Sequence, residues 1–103
     1  DAMASLRPRA RVHVDSGPEV GKSMAIGERL VIGSDPRSGF VLSTVAAQQL
    51  ELATHNGKFW VRDLSGGRAF RAGRPISTDF SEIQHGDVLL LSGSVMLRFE
   101  EAS

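Results

Sequence analysis

The chain has 103 residues, with 12 basic and 12 acidic side chains, a formal net charge of zero and no cysteine. That length suits one domain with one modest core. Balanced charge gives no bulk drive toward nucleic acid or an anionic membrane, and the lack of cysteine excludes a disulfide framework and a thiolate site. No run approaches the roughly 18–20 apolar residues of a membrane span, so direct insertion by this segment is not expected.

Residues 1–5 are small and irregular and read as a cloning remnant. Residues 6–103 are expected to form the domain, as part of a longer protein. No secretory leader is read, and a cytoplasmic setting is expected.

The pattern is β throughout. Val12-His13-Val14 alternates apolar and polar, then come Ser23 to Ile26, Leu30-Val31-Ile32, Phe40-Val41-Leu42 and Leu50 to Ala53. Phe59 to Arg62, Val88 to Leu91 and Val95 to Phe99 complete the set. Turn formers separate these runs at intervals of about ten residues, which predicts a sandwich or barrel. Asn56-Gly57 is the strongest hairpin signal, because both residues tolerate positive φ in a type I′ turn. Eleven glycines are too many for a helical domain of this size. Ser43 to Ala53 fits a helical face about as well as a strand, and the strand is preferred because it leads into the hairpin.

Alternation admits only one of Phe59 and Trp60 to the core. Trp60 is assigned inward, which gives Arg62 the same parity. The opposite phase, with Phe59 and Val61 inward, is chemically more natural. Leu50 and Leu52 share a parity and are expected inside.

Gly17-Pro18-Glu19-Val20-Gly21-Lys22-Ser23 has three residues between its glycines where a P-loop needs four, and a strand rather than a helix follows. It is read as the loop between the first two strands. His13, His55 and His85 lack ligand spacing and are read as surface residues. No nucleophile–base pair is found. No catalytic residue, metal or cofactor is expected, and the domain is read as a non-enzyme. Arg68, Arg71 and Arg74 lie beside Gly66-Gly67. Their guanidinium forks suit phosphate or carboxylate, with ordinary solvated charge as the alternative. Arg37 is expected at the same end of the domain.

Four blocks stand in order: Ile32-Gly33-Ser34-Asp35-Pro36, Val45-Ala46-Ala47-Gln48-Gln49, Asp63-Leu64 with Gly67-Arg68-Ala69-Phe70, and His85-Gly86-Asp87-Val88. From about Arg11 to Glu100 the set resembles a forkhead-associated (FHA) domain, the phosphothreonine-reading β-sandwich. The resemblance implies an antiparallel β-sandwich of about ten or eleven short strands, with function in the loops at one end.

The family commonly shows Gly-Arg, then Ser-Arg-x-His, then Asn-Gly-Thr after the Asp-Leu. Here Ser34 stands for the arginine, Ala46 for the serine, Ala47 for the second arginine and Gln49 for the histidine. Gly67 stands for the asparagine, and the loops before Val45 and Ala69 look a residue or two short. Ser34 offers one neutral hydroxyl in place of a charge-assisted donor, Ala46 cannot donate, and Gly67 has no side chain to hold a peptide. Gln49 can still brace its loop. Each lost contact is worth roughly 1.5–3 kcal/mol. Losing two or more weakens a micromolar interaction by about two to four decades.

The resemblance therefore implies a protein-interaction or scaffold module that does not depend on phosphothreonine. Its partner is expected to be another protein or another domain of the same chain. The expected contact residues are Ser34, Arg37, Ala46, Ala47, Gln48, Gly67, Arg68 and Arg71. The alternative is a phosphopeptide-binding domain using relocated arginines, Arg37, Arg68 and Arg71. Divergent FHA-like domains with lost phosphate residues occur in cytoplasmic parts of bacterial secretion-system rings and in multidomain signalling proteins, and both settings are expected ones.

Overall fold

The computed structural model describes residues 9–102. The strands are β1 (Arg9–Ser16), β2 (Ser23–Ala25), β3 (Arg29–Gly33), β4 (Phe40–Val41), β5 (Leu50–His55) and β6 (Lys58–Asp63). They continue with β7 (Phe70–Arg71), β8 (Arg74–Pro75), β9 (Ser81–Ile83), β10 (Val88–Leu90) and β11 (Met96–Ala102). A six-stranded sheet has the order β2-β1-β11-β10-β7-β8, and a five-stranded sheet has the order β4-β3-β5-β6-β9. The pairings among the described residues are antiparallel except β3–β4, where Ile32 and Gly33 run parallel to Phe40 and Val41. That local exception to the expected antiparallel pattern arises because the chain makes a full loop before laying β4 on the sheet edge. The expected number of strands is met, although β7, β8 and β9 lie where no apolar run marks them. At two or three residues each they cannot show a period.

Strand alternation builds the core. Val12, Val14, Leu89, Leu97 and Phe99 of one sheet face Leu30, Ile32, Leu50, Leu52, Phe59 and Val61 of the other, all buried. The rings of Phe59 and Phe99 meet across the sandwich at 5.3 Å between centroids, tilted by 59°, an arrangement that suits their quadrupoles. Leu50 and Leu52 point inward, as their spacing predicts.

The inward assignment of Trp60 is corrected. Phe59, Val61 and Asp63 take the core parity of β6, while Trp60 and Arg62 are half-buried on the outer face. An inward Trp60 would carry the Arg62 guanidinium in with it, whereas the observed phase turns in Asp63 at the strand end, where Ser65 and Gly67 donate to its carboxylate. On the outer face Arg62 instead meets Glu51, its cross-strand partner. Glu51 is buried there between Arg29 and Arg62, and Arg62 also lies 5.0 Å over the Phe80 ring. Burial works to raise the Glu51 pKa, and the hydrogen bonds and charges of Arg29 and Arg62 outweigh it, leaving the carboxyl below its ordinary range.

Asn56 and Gly57 join β5 to β6 with φ of 53° and 73°, as a type I′ hairpin requires. The Gly17 to Ser23 segment closes back on β1, with Gly21 N–H donating to Val14 C=O and Val14 N–H to Lys22 C=O. It opens no helix. Within Ser43 to Ala53 the strand begins at Leu50, and the residues before it form a loop. His13 is half-buried with Nε2 3.2 Å from Glu100 Oε1, and exposed His85 accepts the Glu101 N–H at Nδ1. No helix of the described residues is long and apolar enough to cross a membrane.

Candidate functional site

Three loops meet at one end of the sandwich. The β3–β4 and β4–β5 loops are laced by backbone: Ser34 N–H donates to Ala46 C=O at 3.0 Å, and Asp35 N–H to Ala47 C=O at 3.2 Å. Gln49 N–H closes the lacing on Ile32 C=O at 2.8 Å. The approach is so close that a Cβ on Gly33 would lie 2.1 Å from the Ala47 carbonyl oxygen. Glycine is needed at that position for space rather than for φ. Ser43 is tied in turn to Glu19 of the β1–β2 loop through its hydroxyl, at 2.7 Å.

Gln49 joins the third loop. Its side chain is fully buried, with Oε1 accepting the Ala46 N–H at 3.0 Å and Nε2 donating to the Arg68 carbonyl at 3.1 Å. A donor on one side and an acceptor on the other fix which way the amide points. Its backbone carbonyl accepts Leu64 N–H at 3.1 Å. The bracing expected of Gln49 is present in the geometry.

Asp63 shapes the β6–β7 loop from below. It ends β6 on the inward parity, buried, and its carboxylate accepts Ser65 N–H at 2.9 Å, Ser65 O–H at 2.5 Å and Gly67 N–H at 2.7 Å. Gly66 and Gly67 have φ of 79° and 102°, which turns their amides toward it. Burial pushes the Asp63 pKa up, but hydrogen bonds from Ser65 and from the backbone of Gly67 and Gly66 outweigh this and hold it below the ordinary range. The Ser65 hydroxyl then accepts Arg68 N–H at 2.9 Å.

The arginines differ in availability. Arg37 is almost fully exposed, but Asp35 two residues earlier holds its backbone N–H at 2.9 Å, Nε at 3.2 Å and Nη2 at 3.0 Å. The same contact lowers the Asp35 pKa. Arg71 is directed away from the three loops: Nη1 donates to Glu82 C=O at 2.8 Å and lies 3.5 Å from Asp87 Oδ2, near the start of β10. Arg68 is exposed and makes no ion pair among the described residues. Ser34 and Ala46 are half-buried, and Ala47, Gln48 and Gly67 are exposed.

Seven of the eight expected contact residues thus lie on the three converging loops, and Arg71 does not join them. Sequence reasoning missed Asp35 as the partner of Arg37, although an aspartate two residues before the arginine is the pattern of a local side chain–backbone turn. It also missed Asp63 as the organiser of the Gly66-Gly67 loop, whose signal was an acidic residue two positions before Ser65. Chemically, this end offers small side chains, neutral polar groups and, among the described residues, one guanidinium without an ion pair.

No family model matches the sequence, and neither does any curated protein. Solved structures match it by shape. The FHA domain of an Arabidopsis thaliana hypothetical protein superposes with a TM-score of 0.84 at 17% identity, over 94% of this chain and 88% of that one. An FHA domain studied for phosphothreonine-dependent interactions gives 0.78 at 20% identity, over 92% and 98%. The FhaA FHA domain, solved in complex with the intracellular domain of Rv3910, gives 0.75 at 21% identity, over 88% and 99%. At such identities the likeness is one of architecture, and with its two sheets and three converging loops this chain has the forkhead-associated fold.

Proposed function

We propose that the domain is a protein-interaction or scaffold module whose loop end, comprising Ser34, Arg37, Ala46, Ala47, Gln48, Gly67 and Arg68, contacts its partner without requiring phosphothreonine. One observation carries this reading. Asp35 takes Arg37, Gln49 and Asp63 are spent bracing the loops, and Arg68 is the guanidinium at this end with no ion pair among the described residues. A phosphate dianion is held by several charge-assisted donors, and one arginine beside alanine and glycine is a poor match. A polar or mildly acidic surface of another protein, or of another domain of the same polypeptide, suits these loops better. The FhaA domain in complex with a protein domain supports a partner of that size. No part of the reading calls for catalysis or a cofactor.

The second reading is phosphopeptide binding through Arg37, Arg68 and Arg71, which the phosphothreonine-dependent FHA neighbour and the lack of an ion pair at Arg68 among the described residues favour. It requires Arg37 to leave Asp35 and Arg71 to leave Glu82 and Asp87. Calorimetric titration with a phosphothreonine peptide library and its unphosphorylated counterpart separates the two. The expected result is no preference for the phosphorylated form. A preference of about tenfold or more, which is 1.4 kcal/mol, lost on Arg68→Ala, establishes the second reading instead.

A further inference from the structure

A second basic cluster lies away from the three loops, where the two sheets part. β8 ends the six-stranded sheet and β9 ends the five-stranded sheet. Beside them opens a cleft lined by Arg71 and Arg74 of the β7–β8 hairpin, and by Ser77 and Ser81 before and at the start of β9.

Arg71 and Arg74 are direct cross-strand partners, so both side chains rise from one face of the hairpin. Like charges in that position destabilise a strand pair. The turn that sets them opposite each other is itself costly. Ala72 has φ of 52°, a left-handed conformation that alanine disfavours, and Gly73 follows at 77°. An anion seated between the two guanidinium groups turns their repulsion into attraction.

Arg71 is held in place from behind, with Nη1 donating to Glu82 C=O at 2.8 Å and lying 3.5 Å from Asp87 Oδ2. Among the described residues its Nε and Nη2 make no hydrogen bond, and Arg74 is exposed and makes no ion pair. A guanidinium already fixed at one nitrogen loses less freedom on binding than a mobile one. The Ser77 hydroxyl oxygen accepts Asp79 N–H at 3.0 Å, which leaves its O–H to donate.

We propose that this cleft binds a side-chain carboxylate of an acidic peptide segment. Charge balance selects the ligand. Two guanidinium groups and the Asp87 carboxylate leave one net positive charge, which a monoanion matches. A phosphate dianion exceeds that charge and meets more repulsion from Asp87. The cleft opens along the side of the domain, so it suits a side chain projecting from a polypeptide better than a small molecule, which needs most of its surface enclosed. Arg71 points away from the three loops, so the site does not rest on what the loop end recognises.

NMR titration with a Glu hexapeptide tests this, beside a Gln hexapeptide and a Glu hexapeptide with one central phosphoserine. The Glu peptide shifts the amides of Arg71, Gly73 and Ser81 with a dissociation constant of about 1 mM, and the Gln peptide does not. Arg74→Gln weakens binding by about threefold or more. Lys58→Gln, which removes one positive charge at the β5–β6 hairpin, leaves it unchanged. No shift in the cleft at about 10 mM peptide, or shifts confined to Ser34, Ala46, Gly67 and Arg68, overturns the inference. So does binding indifferent to Arg74→Gln, or a preference of about tenfold or more for the phosphoserine peptide. If Arg74→Gln fails to fold by circular dichroism, Ser81→Ala is read by the same criteria.

Discussion

Gln49 ties three loops together with a single buried amide, and its removal is felt in all three. Gln49→Ala deletes the bonds to Ala46 N–H and Arg68 C=O and leaves a void where no solvent reaches. Unfolding free energy falls by roughly 2–4 kcal/mol, combining lost hydrogen bonds and a cavity. Gln48→Ala, one residue earlier and exposed, stays within about 0.5 kcal/mol. Urea titrations of the two variants side by side check the contrast. The bracing role was legible from the position of Gln49 among the motif blocks. That Arg37 is already occupied was overlooked, although Asp35 two residues earlier is the local signal for it.

At the scale of the strand, β6 shows how side-chain size misleads. Trp60 is the larger ring, yet Phe59 meets Phe99 in the core. Phe59→Ala is expected to cost about 3–5 kcal/mol, and Trp60→Ala less than about 2 kcal/mol, since the indole buries only part of its surface. Urea unfolding followed by circular dichroism measures both. Iodide quenching of Trp60 emission in the native state gives an independent check on its outward placement. The phase follows from charge: Arg62 and Glu51 form an outer-face pair that shares the parity of Trp60. Strands β7 to β9 were not legible as runs for a different reason. They are held by pairing to β10, to each other and to β6, rather than by periodic apolar residues.

Two buried carboxylates couple the whole molecule to pH. Glu51 and Asp63 both have folded-state pKa values depressed below their ordinary 4.5 and 3.8. A depressed group contributes stability that is fully present above its unfolded pKa and is lost as pH falls through that value toward the folded one. The acid limb from these two groups therefore begins below about pH 5, and neither alters stability between neutrality and that point. Urea midpoints at descending pH measure it. Asp63→Asn, which cannot carry the charge, gives a shallower acid limb at the cost of lower stability at neutral pH.

Local chemistry by itself determined the class of this molecule. Turn residues at short intervals favour reversals, alternating runs favour half-buried strands, and Asn56-Gly57 tolerates the positive φ that it adopts. The ordered motif blocks carried the sandwich and the end at which its loops gather. The sequence also showed which charged and donor groups the family's loops lack here, since a missing side chain needs no tertiary context. Only the tertiary structure decided which of the remaining groups are available. Arg37, Arg68 and Arg71 are alike in sequence, but one is held by its own loop, one is drawn to Glu82 and Asp87, and one makes no ion pair among the described residues. For Arg71 availability depends on residues of β9 and of the turn before β10, which only the fold brings near, and for Arg37 on a turn of its own loop. In the six-stranded sheet, likewise, Met96, Leu90, Phe70 and Pro75 become neighbours only when four strands align.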